Sequence, residues 1–331
     1  MRITLSHSRH TTLLTPAMAG LLQRIHRARR TPFHQMTPAD ARATYLAAAE
    51  VLEPPRAPLP RVENLTIPAA DGTPLPARLY AASTGRLPVL LYLHGGGFVI
   101  GGIETHDSLC RQLALRSGGA VVSLDYRLAP EHRFPTAVDD AFAALRWLAG
   151  DGAEAIGLDG TRLAIGGDSA GGTLAAVCAI LARDAGLPLA LQLLITPGTT
   201  AHADTASHTL FANGFLLDAD AIAWFFDHYI DRRHRSDWRF APLNAPDLDE
   251  VAPACVLLAE CDPLVDEGVA YADRLRAVGV PVELELYRGL THDFIKLGRV
   301  LKEAGHAQDV AARALRDAWK FEPHSALETT R

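Results

Sequence analysis

Ser169 lies in the stretch LAIGGDSAGGTLAA, Leu163 to Ala176, between two glycine pairs, Gly166-Gly167 and Gly171-Gly172. Its centre, Gly167-Asp168-Ser169-Ala170-Gly171, has the G-x-S-x-G spacing. In that pattern an apolar strand turns sharply into a helix. The serine takes the strained corner, where larger neighbours would collide with strand and helix. The hydroxyl is then lifted to the carboxyl end of a sheet, and the dipole of the following helix favours negative charge developing there. A phosphate loop fits less well, because no Lys-Ser/Thr follows and the G-x-G-x-x-G spacing is missing. The chemistry these residues suggest is nucleophilic attack by a hydroxyl.

A serine nucleophile needs a base, and the oxyanion it creates needs hydrogen-bond donors. Candidate donors stand upstream in YLHGGGFVIGG, after an apolar run ending near His94. Gly95, Gly96 and Gly97 can turn backbone N–H groups toward a carbonyl oxygen with no side chain in the way, and the N–H of Ala170 adds a further donor. His94 itself reads as a structural residue that orients the loop. The acid and base are expected in the order Ser, acid, His. Asp262 in ECDPLVDEG follows the apolar run ACVLLAE, and His292 in GLTHDF follows VELELY. Both fall just beyond strand ends, where catalytic residues of open sheets collect. Asp262 has a second reading: with Pro263 behind it, it could cap the next helix. Asp266, one turn into that helix, is the rival acid. His306 lies in a helical stretch beyond the last strand.

These residues need a scaffold, and the hydrophobic pattern describes one. Apolar, β-rich runs occur at Val89 to His94, Ala120 to Asp125, Arg162 to Gly167, Leu189 to Ile195, Ala254 to Glu260 and Val282 to Tyr287. Most are continuous rather than alternating, as in strands buried on both faces of a parallel sheet. Helical stretches such as FPTAVDDAFAALRWLAG and EGVAYADRLRAVGV separate them. This βαβα rhythm predicts an α/β sheet with helices on both faces. Two more alternating runs, Arg61 to Ile67 and Leu75 to Tyr80, predict an antiparallel edge. Upstream, Thr37, Pro38 and Asp40 open a helix that runs to Leu52. The proline-rich EPPRAPLP, Glu53 to Pro60, then forms an extended linker. Between Ile195 and Ala254 no strand is evident, but DADAIAWFFDHYI reads as an amphipathic, aromatic-rich helix. An insertion of this kind over a parallel sheet serves as a lid or cap.

Composition narrows the field. The chain has 331 residues, is 48% hydrophobic and 21% charged, and carries a formal net charge of −6, so nothing calls for a nucleic-acid partner. Its basic cluster, RIHRARR, reads as a solvated helix face. Four cysteines match no metal motif; Cys178 and Cys255 sit in apolar runs as small core residues. That usage suits a reducing compartment and a cytoplasmic location. No apolar stretch approaches a membrane span. Ala17-Met18-Ala19 imitates a signal cleavage site, but the apolar part before it is short and broken by Pro16.

Taken together, HGGGF, DYRLAPEHRFP, GDSAGG, DPLVDEG and HDF resemble the bacterial hormone-sensitive-lipase-like branch of the α/β-hydrolases. The resemblance runs from about Arg61 to Leu297. It implies an α/β-hydrolase fold, a mostly parallel central sheet flanked by helices, with a helical cap. The implied division is a cap part at 1–55, core at 56–197, cap insertion at 198–236, core at 237–321 and a disordered tail at 322–331. Carried over by motif, Ser169 is the nucleophile, Asp262 the acid and His292 the base, with Gly95, Gly96 and Ala170 as the oxyanion hole. The cap resemblance offers Phe215, Trp224 and Phe225 as an acyl-pocket wall. DYRLAPEH is expected to brace the site. Thr173, Thr196-Pro197 and Asp293 depart from the family's usual residues, which bears on substrate preference rather than reaction class. The implied activity is hydrolysis of short- to medium-chain carboxylic esters through an acyl-enzyme, with no metal or organic cofactor. Amidase, lactonase and carbamate hydrolase readings stay open, because one triad serves them all. A non-catalytic receptor on the same fold would be expected to lack His292. Many relatives pair through the last strand and a C-terminal helix, which leaves a homodimer open.

Overall fold

A computed structural model describes residues 13–320. The first twelve residues of the expected N-terminal cap part and the expected tail at 322–331 lie outside the described residues.

Eight strands form one sheet in the order β1-β2-β4-β3-β5-β6-β7-β8. They are β1 (Arg61–Pro68), β2 (Pro74–Ala81), β3 (Pro88–Leu93), β4 (Ala120–Leu124), β5 (Asp159–Asp168), β6 (Gln192–Ile195), β7 (Ala254–Ala259) and β8 (Val282–Tyr287). The pairs β1–β2 and β2–β4 are antiparallel, and the remaining pairs are parallel. The strands β3, β4, β6 and β7 carry no exposed residue because both faces are covered, and they are buried almost throughout. Successive side chains alternate between two cores. Val89, Leu91 and Leu93 of β3 enter one, and Leu90 and Tyr92 enter the other. The antiparallel edge is tied by a tight turn in which Gly72 takes φ +81° and its N–H donates to Ala69 O.

Helices cover both faces. The helix α3 (Ile103–Ser117) contributes Leu109 and Leu113 to the core that also holds Leu90 and Tyr92. On the other face, α4 (Thr136–Ala149) and α6 (Ala170–Asp184) contribute Leu145 and Leu174. Further along, α5 (Asp151–Ala155) precedes β5, and α9 (Val265–Ala277) connects β7 to β8. The last helix, α10 (Lys302–Lys320), is amphipathic and buries Val310, Leu315 and Trp319. No helix among the described residues is long and apolar enough to cross a membrane.

Two segments stand outside the sheet layers. The N-terminal segment forms α1 (Pro16–Arg27) and α2 (Pro38–Leu52), each opened by a threonine whose hydroxyl accepts a backbone N–H of the first turn. The region after β6 forms α7 (Ala206–Leu210) and α8 (Ala219–Tyr229). They meet where Phe33 packs on Phe225, ring centroids 6.3 Å apart. The proline-rich linker between α2 and β1 is pinned to α3: Ser108 Oγ donates to Pro54 O at 2.8 Å and Arg111 Nη1 to Ala57 O at 3.0 Å.

From β3 the chain crosses to β4 on one side, then returns to β5 on the other. This reversal falls between the carboxyl ends of β3 and β5, the place where open α/β sheets bind ligands. The HGGG loop leaves β3 there, and Ser169 leaves β5.

Candidate active site

Ser169 sits between β5 and α6 with φ +53° and ψ −122°, a conformation seldom adopted by residues with a side chain. Its own N–H donates to Ile195 O at 2.8 Å, which anchors the corner to β6. A Cβ on Gly167 or on Gly171 would collide with the Leu93 carbonyl, so the turn closes only with glycine at both positions. The serine is buried to 9% exposure, and its hydroxyl faces a histidine.

That histidine is His292, from the loop after β8. Its Nε2 lies 2.8 Å from Ser169 Oγ. Its Nδ1–H donates to Asp262 Oδ2 at 2.7 Å. With Nδ1 carrying the proton, the lone pair on Nε2 is available to the serine hydroxyl. Asp262 follows β7 and is fully buried. Its other oxygen accepts the Leu264 N–H at 2.9 Å, so the carboxylate orients the imidazole and also ties down the approach to α9. Asp266 is engaged elsewhere: its carboxylate accepts the Ser207 N–H at 2.8 Å and holds α7 against α9. His306 lies on α10 beside Tyr287, 3.1 Å from the phenol oxygen. Burial disfavours the charged form of His292, but Asp262, through charge and hydrogen bond, and then Asp293 outweigh it and push its pKa up.

Three residues join the loops into one unit. Asp168, the residue before the serine, is fully buried. It accepts the Tyr92 hydroxyl at 2.6 Å, the Gly95 N–H at 3.1 Å and His106 Nε2 at 3.1 Å. Burial opposes its ionisation. The charge and hydrogen bond of His106, then Lys296 and Tyr92, nevertheless hold it well below the usual carboxylate range. His94 is stacked on Tyr126, centroids 4.3 Å apart, and its Nδ1 donates to Gly95 O at 2.8 Å. Burial, then the charge of His106, pushes its pKa down to about 3, so it stays neutral. The Tyr126 hydroxyl donates to His94 O at 2.7 Å.

The hydrogen bonds revise one expectation about the donors. The Gly95 N–H is turned inward onto Asp168 and is not available to a ligand. The N–H groups of Gly96 and Gly97 have no acceptor among the described residues. The Ala170 N–H opens α6, where no intrahelical acceptor exists. Gly96 and Gly97 take φ +122° and +59°. Such angles rotate successive amides differently, and that rotation is invisible in the letters of the motif.

Of the three aromatic candidates, Phe225 comes nearest to this loop: a Cβ on Gly97 would collide with its ring. Trp224 packs edge-on against Phe225, centroids 5.2 Å apart, and Phe215 edge-on against Phe211 at 5.0 Å. Asp293, noted in the sequence as a departure beside His292, lies at the centre; Asp168, His106, Tyr92, Tyr45 and Lys296 also support it but were not singled out for it from the sequence. Their partners are remote in the chain, and no local spacing announces them.

Residues 90–296 match the family model described as alpha/beta hydrolase fold. The chain is 39% identical to the ethyl acetate hydrolase of Pseudomonas putida, over 91% of this chain and 98% of that one. It is 41% identical to the carboxylesterase NlhH of Mycobacterium tuberculosis, over 85% of this chain and 91% of that one. Among solved structures, an alpha/beta hydrolase enzyme from the metagenome of Lake Arreo superposes with TM-score 0.89 at 40% identity, covering 94% of this chain and 100% of that one. The hyperthermophilic esterase of Pyrobaculum calidifontis superposes with TM-score 0.87 at 39% identity, covering 92% and 98%. Fold, motifs and relatives agree: the chain belongs to the α/β-hydrolases, in their hormone-sensitive-lipase-like branch.

Proposed function

We propose that this chain is a serine carboxylesterase that hydrolyses short- to medium-chain carboxylic esters, with Ser169 as nucleophile, His292 as base and Asp262 as its orienting acid. The observation that carries the reading is the hydrogen-bonded chain from Ser169 Oγ through His292 to Asp262, standing beside unpaired backbone N–H groups at the switch of the sheet. His292 Nε2 takes the hydroxyl proton as Oγ attacks the ester carbonyl. The N–H groups of Gly96, Gly97 and Ala170 hold the oxyanion; Gly95 supports the loop through Asp168 instead. The alcohol leaves with the proton from His292. Water then attacks the acyl-enzyme, His292 takes its proton and returns it to Ser169, and the carboxylic acid departs. Asp262 stabilises the transient imidazolium.

Of the expected division, the described parts of 1–55 and 198–236, from residue 13 on, act as a cap over a core formed by 56–197 and the described part of 237–321, up to residue 320. The Phe33–Phe225 contact between the two cap parts supports this division. Phe225 over Gly97 is the strongest candidate for the acyl-pocket wall, with Trp224 behind it and Phe215 deeper in the cap. A small acyl group also accords with the name of the Pseudomonas putida relative. All four cysteines are buried and unpaired, which favours a reducing, cytoplasmic setting. The outer edge of β8, with Leu286 exposed, offers a strand for pairing two copies into a homodimer.

The test is hydrolysis of p-nitrophenyl esters from acetate to palmitate by wild type and Ser169→Ala in parallel. Serine-dependent turnover peaking at short chains is expected. Undiminished turnover by a folded Ser169→Ala protein would remove Ser169 from its role.

A further inference from the structure

His292 has a second carboxylate beside it that the two-step mechanism above does not use. Asp293, the next residue, takes the left-handed conformation at φ +62°. This backbone turns its side chain back toward the ring: Oδ1 lies 3.8 Å from His292 Nε2. That oxygen is buried and has no hydrogen-bond partner. An acceptor-only oxygen left without a donor inside a protein is costly, and its persistence asks for a ligand. The separation is too long for a direct hydrogen bond and suits one bridging water.

The other oxygen is held firmly. Asp293 Oδ2 accepts the Tyr45 hydroxyl at 3.2 Å. The Tyr45 oxygen in turn accepts from Lys296 Nζ at 2.7 Å. Lys296 is 4% exposed, and its ammonium lies over the Tyr45 ring at 4.5 Å and 3.6 Å from Glu53 Oε1. A relay of four side chains, Glu53, Lys296, Tyr45 and Asp293, thus runs from the end of α2 to the reactive side of the imidazole. It fixes one carboxylate oxygen and leaves the other aimed at the space next to Nε2. That is the space the departing alcohol vacates and the hydrolytic water must enter.

We propose that Asp293 Oδ1 positions the water that hydrolyses the acyl-enzyme, accepting one of its hydrogens while His292 Nε2 accepts the other. This inference rests on the ester-hydrolysis reading and assigns a residue to its second step. In that step the water oxygen bonds to the acyl carbon and the bond from that carbon to Ser169 Oγ breaks. His292 carries the proton from the water to Oγ, and Asp293 keeps its charge throughout. In the first step the same place is filled by the alcohol portion of the ester, so Asp293 has little to do there.

The experiment is stopped-flow hydrolysis of p-nitrophenyl acetate by wild type, Asp293→Gly and Asp293→Asn, with thermal melting measured alongside. Glycine and asparagine both tolerate the left-handed backbone, so either variant can stand in if the other fails to fold. The Asp293→Gly burst should stay within about threefold of wild type while steady turnover slows by about tenfold, the worth of one hydrogen bond in the transition state. The burst should approach one p-nitrophenol per site. Asp293→Asn, which keeps a carbonyl oxygen, should fall between them. Equal losses in both phases would overturn the proposal, because they would mean a general disturbance of His292; so would an unchanged steady rate. A fluorophosphonate that labels Ser169 counts active sites in all three proteins. Failure to label wild type would sink the ester-hydrolysis reading itself, a result distinct from any pattern among the variants.

Discussion

Replacing Asp168 by asparagine tests how much the centre depends on a carboxylate that touches no substrate. The wild-type side chain accepts three hydrogen bonds, two on Oδ1 from Tyr92 and Gly95 and one on Oδ2 from His106. An asparagine oxygen can keep the first two as neutral bonds. Its amide nitrogen then faces His106 Nε2, which can accept from it only when the ring proton sits on Nδ1, toward Thr105 Oγ1 at 2.8 Å; either way the charge-assisted bond is lost. Losing one charge-assisted bond at a buried site costs about 2 kcal/mol, and weakening the other two adds about 0.5 kcal/mol each. A loss of about 3 kcal/mol lowers the melting temperature of a domain of this size by about 4–5 °C. Because Gly95 is one of the anchored groups, the HGGG loop proposed to hold the oxyanion loosens as well. Turnover of p-nitrophenyl acetate should therefore fall about tenfold or more in kcat, with a smaller change in KM, since the loop acts on the transition state. Differential scanning calorimetry and steady-state kinetics on the same preparation read both effects. An Asp168→Asn protein that melts within about 1 °C of wild type, or that keeps wild-type kcat, would refute the argument that this carboxylate holds the two loops together.

Three further outcomes follow from the site. Asp262→Asn should lower kcat by about a hundredfold or more, because the imidazole loses its orienting charge, whereas Asp266→Asn should cost less than about tenfold and act through the α7–α9 contact; kinetics on the pair would exchange their roles if the order were reversed. The proposed mechanism requires neutral His292, and its raised pKa moves the acid limb of kcat/KM above that of an ordinary histidine; Asp293→Asn removes one of the anions responsible and should shift that limb to lower pH, while an unmoved limb would mean that Asp293 exerts no field at the ring. The sign for stability is opposite. A histidine whose folded pKa is raised stabilises the fold most fully below its unfolded pKa, and that contribution is lost as pH rises through the folded value. Melting temperature should therefore decline across the pH range in which activity rises.

Much of the scaffold could be read from the sequence because burial is written into the strands. Runs such as VLLYL and ACVLLA have no polar side, and both became central parallel strands. The antiparallel edge was visible for the opposite reason, since the exposed and buried residues of β2 alternate over its first half. Ser169, Asp262 and His292 could be singled out because each follows a strand at the same end of the sheet. What escaped was set by distance or by rotation. Tyr45 lies on a helix whose pattern gives no sign that its hydroxyl meets Asp293 and Lys296. His106 is an ordinary member of a mixed polar and apolar helix, and Tyr92 of an apolar strand, until the fold brings them to Asp168. The donor pair in HGGG depends on the φ angles of consecutive glycines, and a glycine permits nearly all of them. Identity of type was readable, but the direction of an amide was not.

The strut from α2 to the histidine loop also sets an order of events during synthesis. Tyr45 is separated by 248 positions from Asp293 and by 251 from Lys296. At about 5–20 residues per second, the ribosome releases Tyr45 some 12–50 s before its partners exist. Through that interval the sheet can grow strand by strand and Ser169 can reach its corner, while α2 has neither Lys296 nor Asp293 to dock against. Arg42 can already tie α2 to Val99 O and Ala129 O, so what waits is the last fastening of the first helices, to the histidine loop. The loop that arms the serine arrives at the same moment as the groups that fasten those helices. On the proposed mechanism, a polypeptide cut short before that loop would carry Ser169 without the base that activates it.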